Sequence, residues 1–233
     1  MKGKISGVSL GPGEPELITL KALKALQEAD IIYCPGTQTK SRSRDILQAL
    51  PINMERVRLF HVPMSKDRTL ANQTYDSICT EIAALVATGK NIAITAEGDS
   101  GFYSSVKYMF DKLASMNLPI TTIAGVPAFI AAGAISGLHI VKQEEKLVVL
   151  PGIITAEELD SLLTSGHVVV IMKLSQCTSE IHRFMQTNRQ HEFHYYENVG
   201  TINELHSTNY KDIIQKEYPY FSLMIIRPGK QLA

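Results

Sequence analysis

Three stretches of the chain place glycines where an apolar run gives way to a helical pattern, two of them together with acidic and hydroxyl side chains. The first is Gly7-Val8-Ser9-Leu10-Gly11-Pro12-Gly13-Glu14-Pro15-Glu16-Leu17-Ile18-Thr19. The second is Ala96-Glu97-Gly98-Asp99-Ser100-Gly101-Phe102-Tyr103-Ser104-Ser105, and the third Ile123-Ala124-Gly125-Val126-Pro127-Ala128-Phe129. Glycine leaves the main chain open to close approach by a ligand. The chemistry these residues suggest is therefore the holding of a small molecule through backbone groups. A dinucleotide fingerprint requires G-x-G-x-x-G. Here Gly11 and Gly13 are followed by Glu16 in the third glycine's place, Pro12 and Pro15 stiffen the loop, and Glu14 would repel a pyrophosphate. A nicotinamide cofactor is thereby disfavoured, which leaves an ordinary strand-to-helix turn or a different ligand. Asp99 reads as a helix N-cap.

Other reactive residue types are scattered. His191 and His194 lie three apart in a strand-like run, so they face opposite sides of a sheet and make a poor metal pair. The methionines fall mostly at core-like positions, where filling gaps is the expected role. No serine, cysteine and histidine signature of a nucleophilic triad is present. Three separated cysteines, Cys34, Cys79 and Cys177, with no CxxC pair, fit a reducing compartment better than a disulfide framework or a zinc site. The 23 basic and 23 acidic residues cancel. That balance argues against binding nucleic acid by bulk charge.

The elements that must position these loops follow from periodicity. With 45% hydrophobic and 20% charged residues, a chain of 233 residues can bury one large core or two smaller ones. Strands are expected at 5–10, 31–33, 57–60, 91–95, 120–123, 147–150, 168–172, 192–196 and 220–226. Helices are expected at 16–29, 41–50, 67–88, 102–116, 128–136, 156–163 and 178–187. This alternation predicts an α/β fold with a mainly parallel sheet covered on both faces. In the second half no long helix separates the last two strands, so part of that sheet should be antiparallel. A boundary at Asn117-Leu118-Pro119 divides the chain into an N-terminal α/β domain, 1–117, and a C-terminal α/β domain, 118–233. Leu118 to Val141 contains no charged residue. Its prolines and glycines make it a buried strand, turn and small-residue helix rather than a membrane span. The charged N-terminus lacks the apolar run of a signal peptide.

Taken together the loops resemble the tetrapyrrole (corrin/porphyrin) methylase family. The first is similar to that family's V-G-x-G-P-G-D-P-x-L-[LI]-T opening, and Ala29-Asp30 to the A-D after its helix. The second is similar to its G-D-P loop and the third to its P-G-[VI]-[ST]-[SA] loop. Val170-Ile171-Met172-Lys173 and Glu197-Asn198-Val199-Gly200-Thr201 match further on, in order and approximate spacing. Two positions depart from the pattern: Ser100 stands where the family has proline, and Ala124-Gly125-Val126-Pro127 replaces its P-G-V-[ST]. Ser100 restores a backbone N–H that proline lacks, and Pro127 removes one.

The resemblance implies two α/β domains with S-adenosylmethionine folded in a cleft between them, no protein-bound metal, and a homodimer in the cytoplasm. It places Pro12, Glu97, Gly98, Asp99, Phe102, Pro127, Ala128, Met172 and Gly200 at the cofactor. Within the family, Pro63-Met64-Ser65-Lys66-Asp67, Gly98 to Ser104, Leu147 to Gly152 and the basic Lys40-Ser41-Arg42-Ser43 loop are most similar to members that methylate C20 of precorrin-2 or cobalt-precorrin-2. Such a substrate carries several carboxylates. Arg42, Arg44, Lys66, Arg68 and Lys173 are the candidates to meet them by charge-assisted hydrogen bonds. Alternatives on the same fold are methylation of uroporphyrinogen, another precorrin, ribosomal RNA or protein. An alternative of another class is a nucleotide-binding sensor without chemistry.

Overall fold

The apolar side chains of Ile5–Ser9 (β1), Ile31–Pro35 (β2), Val57–Phe60 (β3), Ile92–Ala96 (β4) and Ile120–Ile123 (β5) alternate between two cores. A computed structural model of the chain describes residues 3–37, 39, 41–62 and 69–229. It joins these five strands into one wholly parallel sheet of order β3-β2-β4-β1-β5. One face buries Ile5, Tyr33 and Ile94 against Thr69–Ala87 (α3) and Lys107–Ser115 (α4), through Tyr75, Ile78, Ile82, Met109 and Leu113. The other buries Val8, Ile32 and Ala93 against Leu20–Glu28 (α1) and Arg42–Gln48 (α2), through Leu26, Ile46 and Leu47. Strands covered on both faces are the expected state of a parallel sheet.

The second unit carries a mixed sheet. Its strands are Lys146–Leu150 (β6), His167–Met172 (β7), Glu192–Glu197 (β8), Leu205–Ser207 (β9) and Ser222–Arg227 (β10), in the order β6-β7-β10-β8-β9. β6 and β7 are parallel, and the remaining neighbours are antiparallel. Ala156–Thr164 (α6), Thr178–Thr187 (α7) and Tyr210–Ile214 (α8) close a core around Val169, Ile171, Phe193, Tyr195, Met224 and Ile226. Ala128–Ile135 (α5) opens the unit, and Ser136 just after it shares a 2.7 Å hydrogen bond with the Tyr196 hydroxyl. No described helix is long and apolar enough to cross a membrane.

Several expectations need correction. The boundary between units falls at Pro127/Ala128 rather than after 117. The Asn117-Leu118-Pro119 turn only links α4 to β5, and β5 is the edge strand of the first sheet, paired in register with β1. The helix expected over 16–29 is broken at Ile18 and Thr19. A single 3-10 turn at Pro15–Leu17 precedes α1, whose N-cap is the Thr19 hydroxyl. The helix expected from Phe102 starts only at Lys107, behind Tyr103 with φ 50°. β9 and α8, three and five residues long, have no counterpart in the periodicity.

One buried charge locks the second unit's outer loop. Arg227, at the end of β10, is 8% exposed. Its guanidinium donates to the carbonyls of His139 (3.1 Å) and Ile140 (2.5 Å) and to Glu145 Oε1 (2.6 Å). Arg227→Met keeps most of the side-chain volume but strands these acceptors. We expect a loss of about 1.5–2 kcal/mol in urea unfolding, with faster amide exchange confined to residues 138–145.

Candidate functional site

All three glycine-bearing loops leave the carboxyl ends of neighbouring strands β4, β1 and β5, the edge at which open parallel sheets bind ligands. Main-chain bonds stitch them together. Gly11 N–H donates to the Gly98 carbonyl (3.1 Å), and Gly98 N–H donates back to the Gly11 carbonyl (2.7 Å). Asp99 ties the second loop to the third: Oδ2 accepts the Gly125 N–H at 2.7 Å, while Oδ1 accepts the Gly101 N–H at 2.8 Å. Asp99 is therefore not the N-cap of α4, which begins eight residues later; its carboxylate is a clamp between loops. The Thr19 hydroxyl, while accepting from Ala22 N–H, donates to the Ala124 carbonyl at 3.4 Å.

The close approach is what requires Gly125. A Cβ there would lie 2.5 Å from the Gly98 oxygen and 2.5 Å from Ser9 Cβ. Ser100 also acquires a reason. Its N–H donates to Ser9 Oγ at 2.8 Å, and the Ser9 hydroxyl donates to Ser100 Oγ at 3.1 Å, both residues being buried. A proline at 100 has no N–H to give. Pro127 directly precedes α5, a place where a missing N–H leaves no helical carbonyl unpaired. Pro12 is buried beside Gly11, while Phe102, Pro127 and Ala128 are partly buried.

Glu97 turns the other way, toward α2. The Ser43 hydroxyl donates to Glu97 Oε1 at 3.3 Å. Burial pushes the Glu97 carboxyl above the ordinary carboxylate range, against the opposing charge of Arg42 and the hydrogen bonds of Ser43. Burial likewise lowers the Arg42 guanidinium from its usual value, opposed by Glu97 and Asp45. Arg44 lines a small cavity of about 130 Å³ with Met54, Val57 and Leu59. Lys66 and Arg68 lie outside the described residues, as does the whole of the 63–67 motif.

In the second unit the remaining motif residues gather at one end of the mixed sheet. Met172 ends β7 opposite Leu223, and Glu197 ends β8 opposite Ser222. Lys173 N–H donates to the Ser222 carbonyl (3.0 Å) and Asn198 N–H to the Phe221 carbonyl (2.9 Å), so both loops hang from the same short stretch. Lys173 adopts φ 61°, and its Nζ lies 5.9 Å from the Tyr220 ring centroid. Gly152 backs onto this bend; a Cβ there would come within 2.6 Å of the Met172 and Lys173 carbonyl oxygens. Gly200 N–H donates to Glu204 Oε2 at 2.7 Å. Among the described residues no three His, Cys, Asp or Glu side chains gather as a metal would need.

The structure thus brings Pro12, Gly98, Asp99 and Gly125 together in the first unit, and Met172, Lys173 and Gly200 together in the second. Sequence reasoning assigned no role to Ser9, Ser43, Glu204 or the Tyr220-Phe221 pair. Ser9 carries a signal, a hydroxyl on an apolar strand that runs into the first loop. Ser43 meets Glu97, 54 residues away, only in three dimensions.

Residues 4–211 match the family model described as Tetrapyrrole (Corrin/Porphyrin) Methylases. The chain is 30% identical to a precorrin-2 C(20)-methyltransferase of Sinorhizobium sp over 236 residues, covering 97% of this chain and 96% of the relative. Among solved structures it is similar to a cobalt-precorrin-4 methyltransferase, with TM-score 0.74 and 17% identity over 96% of this chain and 94% of that one. It is also similar to the uroporphyrin-III C-methyltransferase of Thermus thermophilus in complex with S-adenosylhomocysteine, with TM-score 0.67 and 17% identity over 98% of each chain. The stitched loops, the parallel and mixed sheets and these likenesses agree on one assignment: the chain belongs to the tetrapyrrole methylases and is a methyltransferase that uses S-adenosylmethionine.

Proposed function

We propose that this enzyme transfers a methyl group from S-adenosylmethionine to C20 of precorrin-2 or its cobalt complex, on the route to cobalamin, and that it works as a cytoplasmic homodimer. The observation that carries the reading is the three-loop cradle, joined to a nearly full-length likeness to a relative named for this reaction. The cradle suits the donor. An ideal Cβ on Gly98 would meet nothing within 4 Å, so bare main chain there borders open space. Pro12, Gly98, Asp99, Phe102, Pro127, Ala128, Met172 and Gly200 would hold the donor, largely through backbone groups.

The donor supplies an electrophilic methyl carbon, and the electron-rich ring carbon is its own nucleophile. The protein is left with positioning, which can remove several kcal/mol of barrier when reacting atoms are held about 3–3.5 Å apart. Arg42, Arg44, Lys173 and, beyond the described residues, Lys66 and Arg68 would pair with the substrate's carboxylates.

The reading is tested by incubating the enzyme with donor carrying a ¹³C-methyl group and with metal-free or cobalt-loaded precorrin-2. We expect one new ¹³C-methyl resonance, at C20, with at least one of the two acceptors. A label at another carbon overturns the C20 assignment, and no methylated product with either acceptor overturns the reading itself.

A further inference from the structure

Glu97 occupies a place in the sheet that no other acidic residue of the three loops shares. β4 lies between β1, whose loop forms the cradle, and β2, whose following segment enters α2 with Ser41, Arg42, Ser43 and Arg44. The main chain immediately after Glu97 belongs to the cradle, through the Gly11–Gly98 bridge. Its carboxylate receives the Ser43 hydroxyl on the α2 side of the cradle. One side chain therefore stands where the donor half of the sheet edge meets the basic half. Asp99, by contrast, already accepts two backbone N–H groups, one with each oxygen.

We propose that Glu97 is the proton acceptor of the methyl transfer and that Ser43 is its positioning residue. The proposal rests on the C20 reading above, because that carbon bears a hydrogen that must leave. The ring carbon's electron pair forms the new C–CH3 bond, and the sulfur keeps the electron pair of the S–CH3 bond that breaks. The ring C–H bond then breaks, its electrons restore the ring's conjugation, and the proton passes to the Glu97 carboxylate, which becomes a neutral acid and later releases it to solvent.

The charged and titratable groups around Glu97 are consistent with this task. Arg42 and Asp45 face it from α2, and the Cys34 thiol faces it from the end of β2, itself pushed up by burial. Burial raises the carboxyl, and a carboxylate so raised is a better base near neutral pH than an exposed one. Arg42 and Ser43 oppose that rise and so keep the ionised form accessible.

The test compares wild type, Glu97→Gln and Ser43→Ala by steady-state kinetics across pH, with calorimetric titration of S-adenosylhomocysteine alongside. Wild type should show kcat rising with pH to a plateau as Glu97 ionises. Glu97→Gln should lose about 10²-fold or more in kcat and lose that acid limb, with its affinity for S-adenosylhomocysteine kept. A deuterium on the accepting carbon should slow Glu97→Gln more than wild type, because proton removal has become limiting. Ser43→Ala removes a donor to the charged form, so its acid limb should move to higher pH; this variant serves even if Glu97→Gln folds poorly. Full kcat with an unchanged acid limb in Glu97→Gln overturns the proposal. So does a variant whose only defect is weaker binding of S-adenosylhomocysteine, which would make Glu97 a donor ligand, or an unmoved limb in Ser43→Ala. Failure of the C20 reading is distinguishable, since wild type itself would then leave C20 unmethylated.

Discussion

Gly125→Ala should abolish saturable binding of S-adenosylhomocysteine and lower unfolding stability by about 2–3 kcal/mol, the upper part of the range for forcing a carbon into filled space. The added Cβ would meet the Gly98 oxygen and Ser9 Cβ, both at 2.5 Å. Neither neighbour can give way cheaply. Gly98 is held by two reciprocal hydrogen bonds to Gly11, and Ser9 is buried and bonded to Ser100. Relief must come from movement of the third loop away from the second, which opens the cradle. Calorimetric titration and urea unfolding check both halves of the prediction. Wild-type affinity in this variant would mean that the closeness of these loops is irrelevant to the ligand.

Asp99→Ala should have a comparable effect for the opposite reason: it removes a tie instead of forcing a clash. Two backbone donors, Gly125 N–H and Gly101 N–H, lose a carboxylate acceptor. Hydrogen bonds to charged groups contribute about 1.5–3 kcal/mol each. Gly101 is exposed and can turn to water, whereas Gly125 is partly buried beneath Gly98. We expect a net loss of about 2–3 kcal/mol and at least a tenfold weaker affinity for S-adenosylhomocysteine. Asp99→Asn should fall between, since its amide oxygen serves one N–H while its NH2 group faces the other. The double variant Gly125→Ala/Asp99→Ala should lose less than the two single losses added together, because both act on one junction.

These residues also show how far the sequence could be read. The alternation of apolar runs and helical patterns announced the parallel sheet, and the missing helix before the last strand announced its antiparallel partner. The loops were visible as glycines at strand ends. Their mutual bonds were not, because Gly11, Gly98 and Gly125 are far apart in the chain and meet only through the order β4-β1-β5. Local spacing alone marks Asp99 as a helix cap, because that is all a cap needs. Its true partner, Gly125, is 26 residues away. The domain boundary was misplaced for a related reason. A turn signal at Asn117 to Pro119 marks a break in the chain direction, but whether the next strand stays in the same sheet is decided by its pairing with β1. α8 and β9 are too short to show a period.

Whether the three loops hold the donor can be seen in a crystal of the enzyme soaked with S-adenosylhomocysteine. We expect density for the compound against the main chain of residues 11–13, 97–99 and 125–128, with polar atoms within hydrogen-bond reach of backbone N–H and C=O groups. Those loops left bare, or the compound seated elsewhere on the chain, would contradict that placement.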